Sequence, residues 1–267
     1  MDMIFVLFWI FAVLVMLGYL ALWPAVTPDG VLIALALGFL GANVLFALLF
    51  TVNSFFRKGD WPIQKQSRLC RWICAAVGQW ICGYAGMKPK LIGMDKLPHD
   101  RPFLFVCNHR SMFDPLLVMG RLDSYNISFV SKPSNLRIPI AGVTAIQAGF
   151  LPIDREDNRA ALKTILAAAD YLKRGVCSIG IYPEGTRSRN GELGAFHAGS
   201  FKIAQKADAP VAICCVRGTE QVAKPLFLVR TRVELEVLEV LDADKVKAMK
   251  TTELAAYARD RIWHATT

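Results

Sequence analysis

The first 56 residues contain no Lys or Arg and only two acids, Asp2 and Asp29. That segment therefore lacks the basic n-region of a secretory signal peptide, and no cleavage site precedes the next apolar run. The chain has no zinc-finger spacing and no ribonucleoprotein-type aromatic motif, which sets nucleic acid aside as a partner. Cys70 and Cys74 share helical spacing but have no second pair to complete a zinc site, so no metal is expected. The seven cysteines are odd in number and sit mostly inside apolar runs, the pattern of buried thiols in a reducing compartment. No Walker-type glycine loop follows any apolar run, and no Gly-x-Ser-x-Gly elbow supplies a nucleophilic serine. Internal repeats and low-complexity tracts are absent too.

What is present divides in two. Apolar residues make up 54% of the 267, and the mean hydropathy is +0.36, high for a soluble enzyme and pointing to a membrane portion. From Met3 to Trp23 nearly every residue is apolar, and from Val31 to Val52 the strongly polar ones are Asn43 and Thr51. Each run is long enough to cross a hydrocarbon core of roughly 30 Å as a helix. Between them, Pro24 to Gly30 holds two prolines and a glycine. Residues 1–56 are therefore expected to form a transmembrane helical hairpin, with helices over about 3–23 and 31–52. A hairpin that dips into one leaflet is the alternative.

All 31 basic residues lie in 57–267, and Arg57, Lys58, Lys65, Arg68 and Arg71 follow the second run directly. The positive-inside rule then places the large domain in the cytoplasm. Residues 61–85 read as an amphipathic helix carrying Leu69, Trp72, Ile73, Ala76, Trp80 and Ile81 on one side. That pattern suits a helix lying at a membrane surface, and equally one packed on a core.

Beyond it, apolar runs at 103–106, 127–130, 149–153, 178–182, 211–216 and 231–241 read as strands. Helical patterns at 135–146, 158–174, 202–206 and 245–265 separate them or close the chain. The expected fold is α/β, a mixed sheet flanked by helices.

The stretch Val-Cys-Asn-His-Arg-Ser-Met-Phe-Asp-Pro at 106–115 places His109 and Asp114 on one strand-to-helix connection. Asp114 reads either as a helix cap beside an ordinary loop histidine or as the orienter of a His109 general base. Later connections carry Lys132, then Asp154 and Arg155, then Glu184, Gly185, Thr186, Arg187 and Arg189. In an α/β sheet, ligands bind at the carboxyl ends of strands, and several cations converging there suit an anionic group such as phosphate. A base without a protein nucleophile points to direct action on a substrate hydroxyl.

These residues carry a resemblance. Asn-His109-Arg-Ser-Met-Phe-Asp114 resembles the His-x4-Asp block of the glycerolipid acyltransferases. Gly149-Phe-Leu-Pro-Ile-Asp-Arg155 resembles their second block, Tyr182-Pro-Glu-Gly-Thr-Arg187 their third, and Ala209-Pro210-Val-Ala-Ile a looser fourth. Order and spacing are similar to those of the 1-acyl-sn-glycerol-3-phosphate (lysophosphatidate) acyltransferases. Tyr182 stands where that family usually has Phe. Cys214 and Cys215 follow the fourth block where a second proline is common.

The resemblance implies acyl transfer from acyl-coenzyme A or acyl carrier protein to the sn-2 hydroxyl of lysophosphatidate, giving phosphatidic acid, with no cofactor. His109 would be the base and Asp114 its orienter. Lys132, Arg155 and Arg187 would hold phosphate, Glu184, Gly185 and Thr186 would shape the same loop, and amides near Gly185 would serve the oxyanion. Lysophosphatidate, the acyl donor and membrane lipid are the implied partners, with acyl carrier protein as one form of the donor. Another lysolipid, such as lyso-ornithine lipid, and non-catalytic binding of anionic lipid are the competing readings. Compactness and the short leader point to a bacterial inner membrane with the catalytic domain on its cytoplasmic face.

Overall fold

A computed structural model describes residues 3–22, 27–57, 59–187, 192–222 and 230–266. Contacts divide the chain into two compact units, Met1–Arg57 and Lys58–Thr267.

The first unit is a pair of helices, α1 (Met3–Leu22) and α2 (Pro28–Phe55). The second helix begins three residues earlier than its apolar run. Thr27 Oγ1 accepts the Gly30 N–H at 3.2 Å and Pro28 takes the first turn, so the expected loop residues Pro28, Asp29 and Gly30 are helical. Trp23 lies outside the described residues. Small residues let the two helices approach: a Cβ on Gly30 would lie 2.9 Å from the Tyr19 hydroxyl, and one on Gly41 2.9 Å from the Phe11 ring. Asn43 and Thr51 turn their side chains back onto the Phe39 and Ala47 carbonyls at 2.7 and 2.8 Å, so the helix satisfies its own polar groups.

The second unit follows the order α3 (Arg68–Tyr84), β1 (Met87–Ile92), β2 (Leu104–Cys107), α4 (Phe113–Arg121), β3 (Ile127–Ser131), α5 (Pro133–Leu136), α6 (Ala141–Gln147) and β4 (Leu151–Pro152). It continues with α7 (Asn158–Lys173), β5 (Ser178–Ile181), α8 (Lys202–Ala207), β6 (Val211–Arg217), β7 (Thr231–Leu241), α9 (Ala243–Ala248) and α10 (Thr251–Thr266). Among the described residues the strands form one mixed sheet in the order β1-β7-β6-β2-β5-β3-β4. Strands β6, β2, β5, β3 and β4 are parallel, and β7 turns against β6 with β1 parallel to it. The central β2 is buried along its whole length. Five carboxyl ends thus open on one edge of the sheet, where binding loops gather in such folds.

Several boundaries differ from the sequence reading. The helix expected over 61–85 starts at Arg68, because Ser67 Oγ accepts the Cys70 N–H at 3.2 Å and caps it there. Its buried residues are Cys70, Ile73, Ala75, Ala76, Gly78 and Cys82, whereas Leu69 and Ile81 point to solvent. The inward face is set by α4, which crosses at Gly78 and Gly120 with backbone against backbone. The helical stretch expected over 135–146, broken by Pro139 and Gly142, forms α5 and α6 with Pro139 between them, while Gly142 lies inside α6; the helix expected over 245–265 is divided into α9 and α10. Strand β4 shrinks to two residues.

Candidate active site

The loop leaving β2 is folded around one carboxylate. Asp114 is 1% exposed and belongs to the first turn of α4, so it does not stand before the helix as a cap. Its Oδ2 accepts the Arg110 N–H at 2.7 Å, the Ser111 N–H at 2.8 Å and His109 Nδ1–H at 2.8 Å. Its Oδ1 accepts the Thr219 hydroxyl at 2.5 Å. Four donors on two oxygens compensate the charge that burial would otherwise strand. The bond to Asp114 fixes the proton on His109 Nδ1, which leaves Nε2 as the basic nitrogen. The imidazole keeps about one-fifth of its surface, with 21% of the side chain exposed.

Neighbouring elements hold the imidazole and its loop in place. The His109 N–H donates to Glu184 Oε1 at 2.7 Å, tying the β2 loop to the β5 loop, and Glu184 Oε2 accepts the Gly194 N–H at 3.0 Å. Asn108 clamps the end of β6, donating to the Val216 carbonyl at 2.9 Å and accepting the Val216 N–H at 2.8 Å. The Tyr182 ring stacks under His109 with centroids 4.4 Å apart and planes 20° from parallel, and it stacks on Phe129 at 5.5 Å and 3°. The face of an aromatic ring favours a cation, so an imidazolium formed at His109 would be stabilised from below. Burial holds the Tyr182 phenol well above its usual range, and the nearby Asp114 charge adds to that.

The cationic residues expected from the sequence lie at the same edge. Lys132 and Arg187 carry exposed side chains, after β3 and in the β5 loop respectively. Arg155, after β4, reaches the β5 loop, where its Nη1 would lie 3.4 Å from a Cβ on Gly185. Glu184 and Gly185 are buried and Thr186 is exposed. Gly185 has φ +74°, a conformation that favours glycine. The Gly185 N–H donates to the Tyr182 carbonyl at 3.1 Å, so that amide is spent in the turn and does not face an oxyanion. Arg189 lies outside the described residues. Among the described residues no three His, Cys, Asp or Glu side chains are grouped to hold a metal.

Sequence reading missed two residues of this network. Thr219 and Asn108 act across the sheet, 105 and 108 residues from their partners. The weak signal for Thr219 was the Gly218-Thr219 pair directly after a buried strand.

A family profile described as "Acyltransferase" matches residues 88–217. The chain is 31% identical over 182 residues to a chloroplastic 1-acyl-sn-glycerol-3-phosphate acyltransferase of Brassica napus, a match covering 68% of this chain and 51% of that protein. It is 28% identical over 193 residues to a 1-acyl-sn-glycerol-3-phosphate acyltransferase of Borreliella burgdorferi, covering 71% of this chain and 74% of the relative. The chain thus spans about half the length of the plant relative. In three dimensions it resembles the crystal structure of the 1-acyl-sn-glycerophosphate (LPA) acyltransferase of Thermotoga maritima, with a TM-score of 0.61 at 22% identity, covering 84% of this chain and 94% of that one.

Proposed function

From the premise that this chain belongs to the acyltransferase family, we propose that it transfers a fatty acyl group from a thioester to the sn-2 hydroxyl of 1-acyl-sn-glycerol 3-phosphate, giving phosphatidic acid. The observation that carries the reading is the His109–Asp114 pair at 2.8 Å, with an accessible imidazole and the Arg155 guanidinium on a neighbouring loop. The relatives named for this reaction support the choice of acceptor.

In the proposed reaction His109 Nε2 takes the proton of the acceptor hydroxyl as that oxygen attacks the thioester carbonyl. The tetrahedral intermediate collapses, the C–S bond breaks, and the imidazolium returns its proton to the departing thiolate. A positioned base of this kind contributes typically 10²–10⁴-fold to rate. Asp114 holds the tautomer and faces the positive charge as it forms. Lys132, Arg155 and Arg187 bind the acceptor phosphate, while Glu184 and Thr186 shape the loop around it. Acyl-coenzyme A and acyl carrier protein both fit as donors, and no cofactor enters the balance.

The acceptor and product are lipids, and the first unit suits that. Among the described residues α2 is one helix long and apolar enough to cross a membrane, with Val13–Leu22 a shorter apolar stretch. At 1.5 Å per residue its 28 residues extend about 42 Å, more than a hydrocarbon core of roughly 30 Å. We read the pair as a membrane hairpin, with Lys58–Thr267 as the acyltransferase domain on the cytoplasmic face of a bacterial inner membrane. The basic residues after Phe56 give that orientation. The start of α3, with Arg68 and Arg71 exposed, lies at the lipid surface in the same reading.

The test is a panel of lysolipids offered to the purified full chain with one acyl-coenzyme A. Lysophosphatidate is expected to be acylated far faster than lyso-ornithine lipid or lysophosphatidylcholine. Preference for a phosphate-free acceptor would defeat the assignment. Binding of anionic vesicles without any thiol release would reduce the protein to a lipid-binding module.

A further inference from the structure

The two oxygens of Asp114 are held from different parts of the chain. Oδ2 takes its three N–H donors from the His109 loop itself. Among the described residues Oδ1 has one donor, the Thr219 hydroxyl at 2.5 Å, 105 residues away. Asp114 is 1% exposed and Thr219 0%, so solvent does not reach this bond. A carboxylate gripped through Oδ2 alone is free to swing about that oxygen. Binding the second oxygen fixes the plane of the group as well as its position. An ionised oxygen left unpaired in the interior is also costly.

The place of Thr219 is set from β6 and β7. Asn108 pins Val216 near the end of β6 through both its N–H and its carbonyl. Arg217 is anchored on β7 by Glu234 at 3.0 Å and Glu236 at 2.6 Å, and it donates to the Ala265 carbonyl of α10 at 2.8 Å. The chain then turns at Gly218, whose φ is +84° and where a Cβ would lie 2.6 Å from the Arg232 carbonyl oxygen. The Gly218 and Thr219 carbonyls accept the Gln221 and Val222 N–H groups at 3.2 and 3.3 Å, which closes a short turn. Beside it, Arg110 Nη1 lies 3.8 Å from Glu220 Oε1. The antiparallel corner of the sheet thus carries the hydroxyl, while the loop after β2 carries the base.

We infer that Thr219 is a positioning residue for the His109 base, acting through Asp114 and touching neither substrate. Its hydroxyl holds the carboxylate plane so that Oδ2 stays on the line of His109 Nδ1–H and Nε2 remains the nitrogen free to accept a proton. When the imidazolium forms, the opposing charge is already in place and no reorganisation is needed. The inference rests on the proposed function for the reaction that is accelerated, and on the geometry alone for the tautomer.

The experiment compares the full chain in detergent with Thr219→Val, which puts a methyl in place of the hydroxyl, and with Thr219→Ser, which keeps the donor. Steady-state kinetics give kcat and both KM values for lysophosphatidate and acyl-coenzyme A. Nitrogen NMR of the ligand-free chain reads the His109 tautomer, with its signals assigned by their loss in His109→Ala. Thr219→Val is expected to lower kcat about ten-fold or more, to leave both KM values near the original, and to replace the single Nδ1–H form of His109 by a mixture. Thr219→Ser should restore kcat and tautomer together. Should Thr219→Val fail to fold, Thr219→Cys carries the test: its thiol is a weak donor, and its kcat should fall between those of the original and His109→Ala. An undiminished kcat in the folded variant, an unchanged tautomer, or a Thr219→Ser that restores neither would overturn the inference and leave Thr219 a structural residue. If the original chain acylates nothing while Thr219→Val still loses the Nδ1–H form, the positioning role stands and the proposed function fails.

Discussion

Asp114 takes four hydrogen bonds on two oxygens, and three come from residues within five positions of it. That locality is why the His109–Asp114 pair could be seen in the sequence: one short loop contains donor, acceptor and helix start. Thr219 was not visible in the same way, because only the folded sheet brings it to the pair, and the bonds of Asn108 to distant Val216 were hidden for the same reason. The capping role weighed for Asp114 is realised in a different form, with the carboxylate gripping the amides that precede the helix. Tyr182 offers a test at this scale. Its ring is used on both faces, yet its hydroxyl is buried and among the described residues has no hydrogen-bond partner. An unsatisfied buried hydroxyl costs about 1–3 kcal/mol. Tyr182→Phe should therefore raise stability by about 1 kcal/mol with turnover retained, read from the urea midpoint. A drop in stability would mean that the hydroxyl is satisfied after all.

Among the elements, α4 carries Asp114 and is held by its crossing with α3. A Cβ on Gly120 would meet Gln79 N at 2.7 Å and Gly78 C at 2.8 Å, and one on Gly78 would meet the Leu116 carbonyl at 2.5 Å. Both obstacles are backbone, so neither helix can yield without moving whole. Gly120→Ala should cost about 2 kcal/mol or more and slow turnover, because α4 would carry Asp114 away from the His109 loop. Thermal melting and thiol release together check this, and a variant with unchanged stability would show the crossing to be loose.

The elements best read from sequence have an undiluted period. Strand β7, alternating inward and outward from Thr231 to Leu241, and α7, capped by Asp157 through the Arg159 and Ala160 amides, match their expected spans closely. Strand β1 was missed, since Lys88, Pro89 and Lys90 break any apolar pattern and its place depends on pairing with the distant β7. The break between α9 and α10 falls at Met249 and Lys250, with no proline or glycine to announce it. The early start of α2 was hidden because its Pro-Asp-Gly reads as a turn unless Thr27 is seen to cap it.

On the scale of the whole molecule, the seven cysteines make no disulfides, and burial suppresses the ionisation of Cys74, Cys82, Cys107, Cys177, Cys214 and Cys215. Cys82 and Cys215 are pushed up to about 11, and Cys74 and Cys177 to about 12, chiefly by desolvation. An unfolded thiol ionises near about 8.5. Between that pH and the folded values, the unfolded chain releases protons that the native state retains, so stability falls as pH rises. Below about pH 8.5 both states are protonated and these thiols leave stability unchanged. The urea midpoint should therefore drop clearly between pH 8 and pH 10.5. A midpoint that stays flat or rises would show the thiols to be solvated.

The acyl transfer proposed for this chain depends on one base, His109. The most direct measurement is thiol release and phosphatidic acid formation by the purified full chain from lysophosphatidate and acyl-coenzyme A, compared with His109→Ala. Steady turnover is expected in the original, with a loss of at least about 10²-fold in the variant. Near-normal turnover by His109→Ala would contradict it.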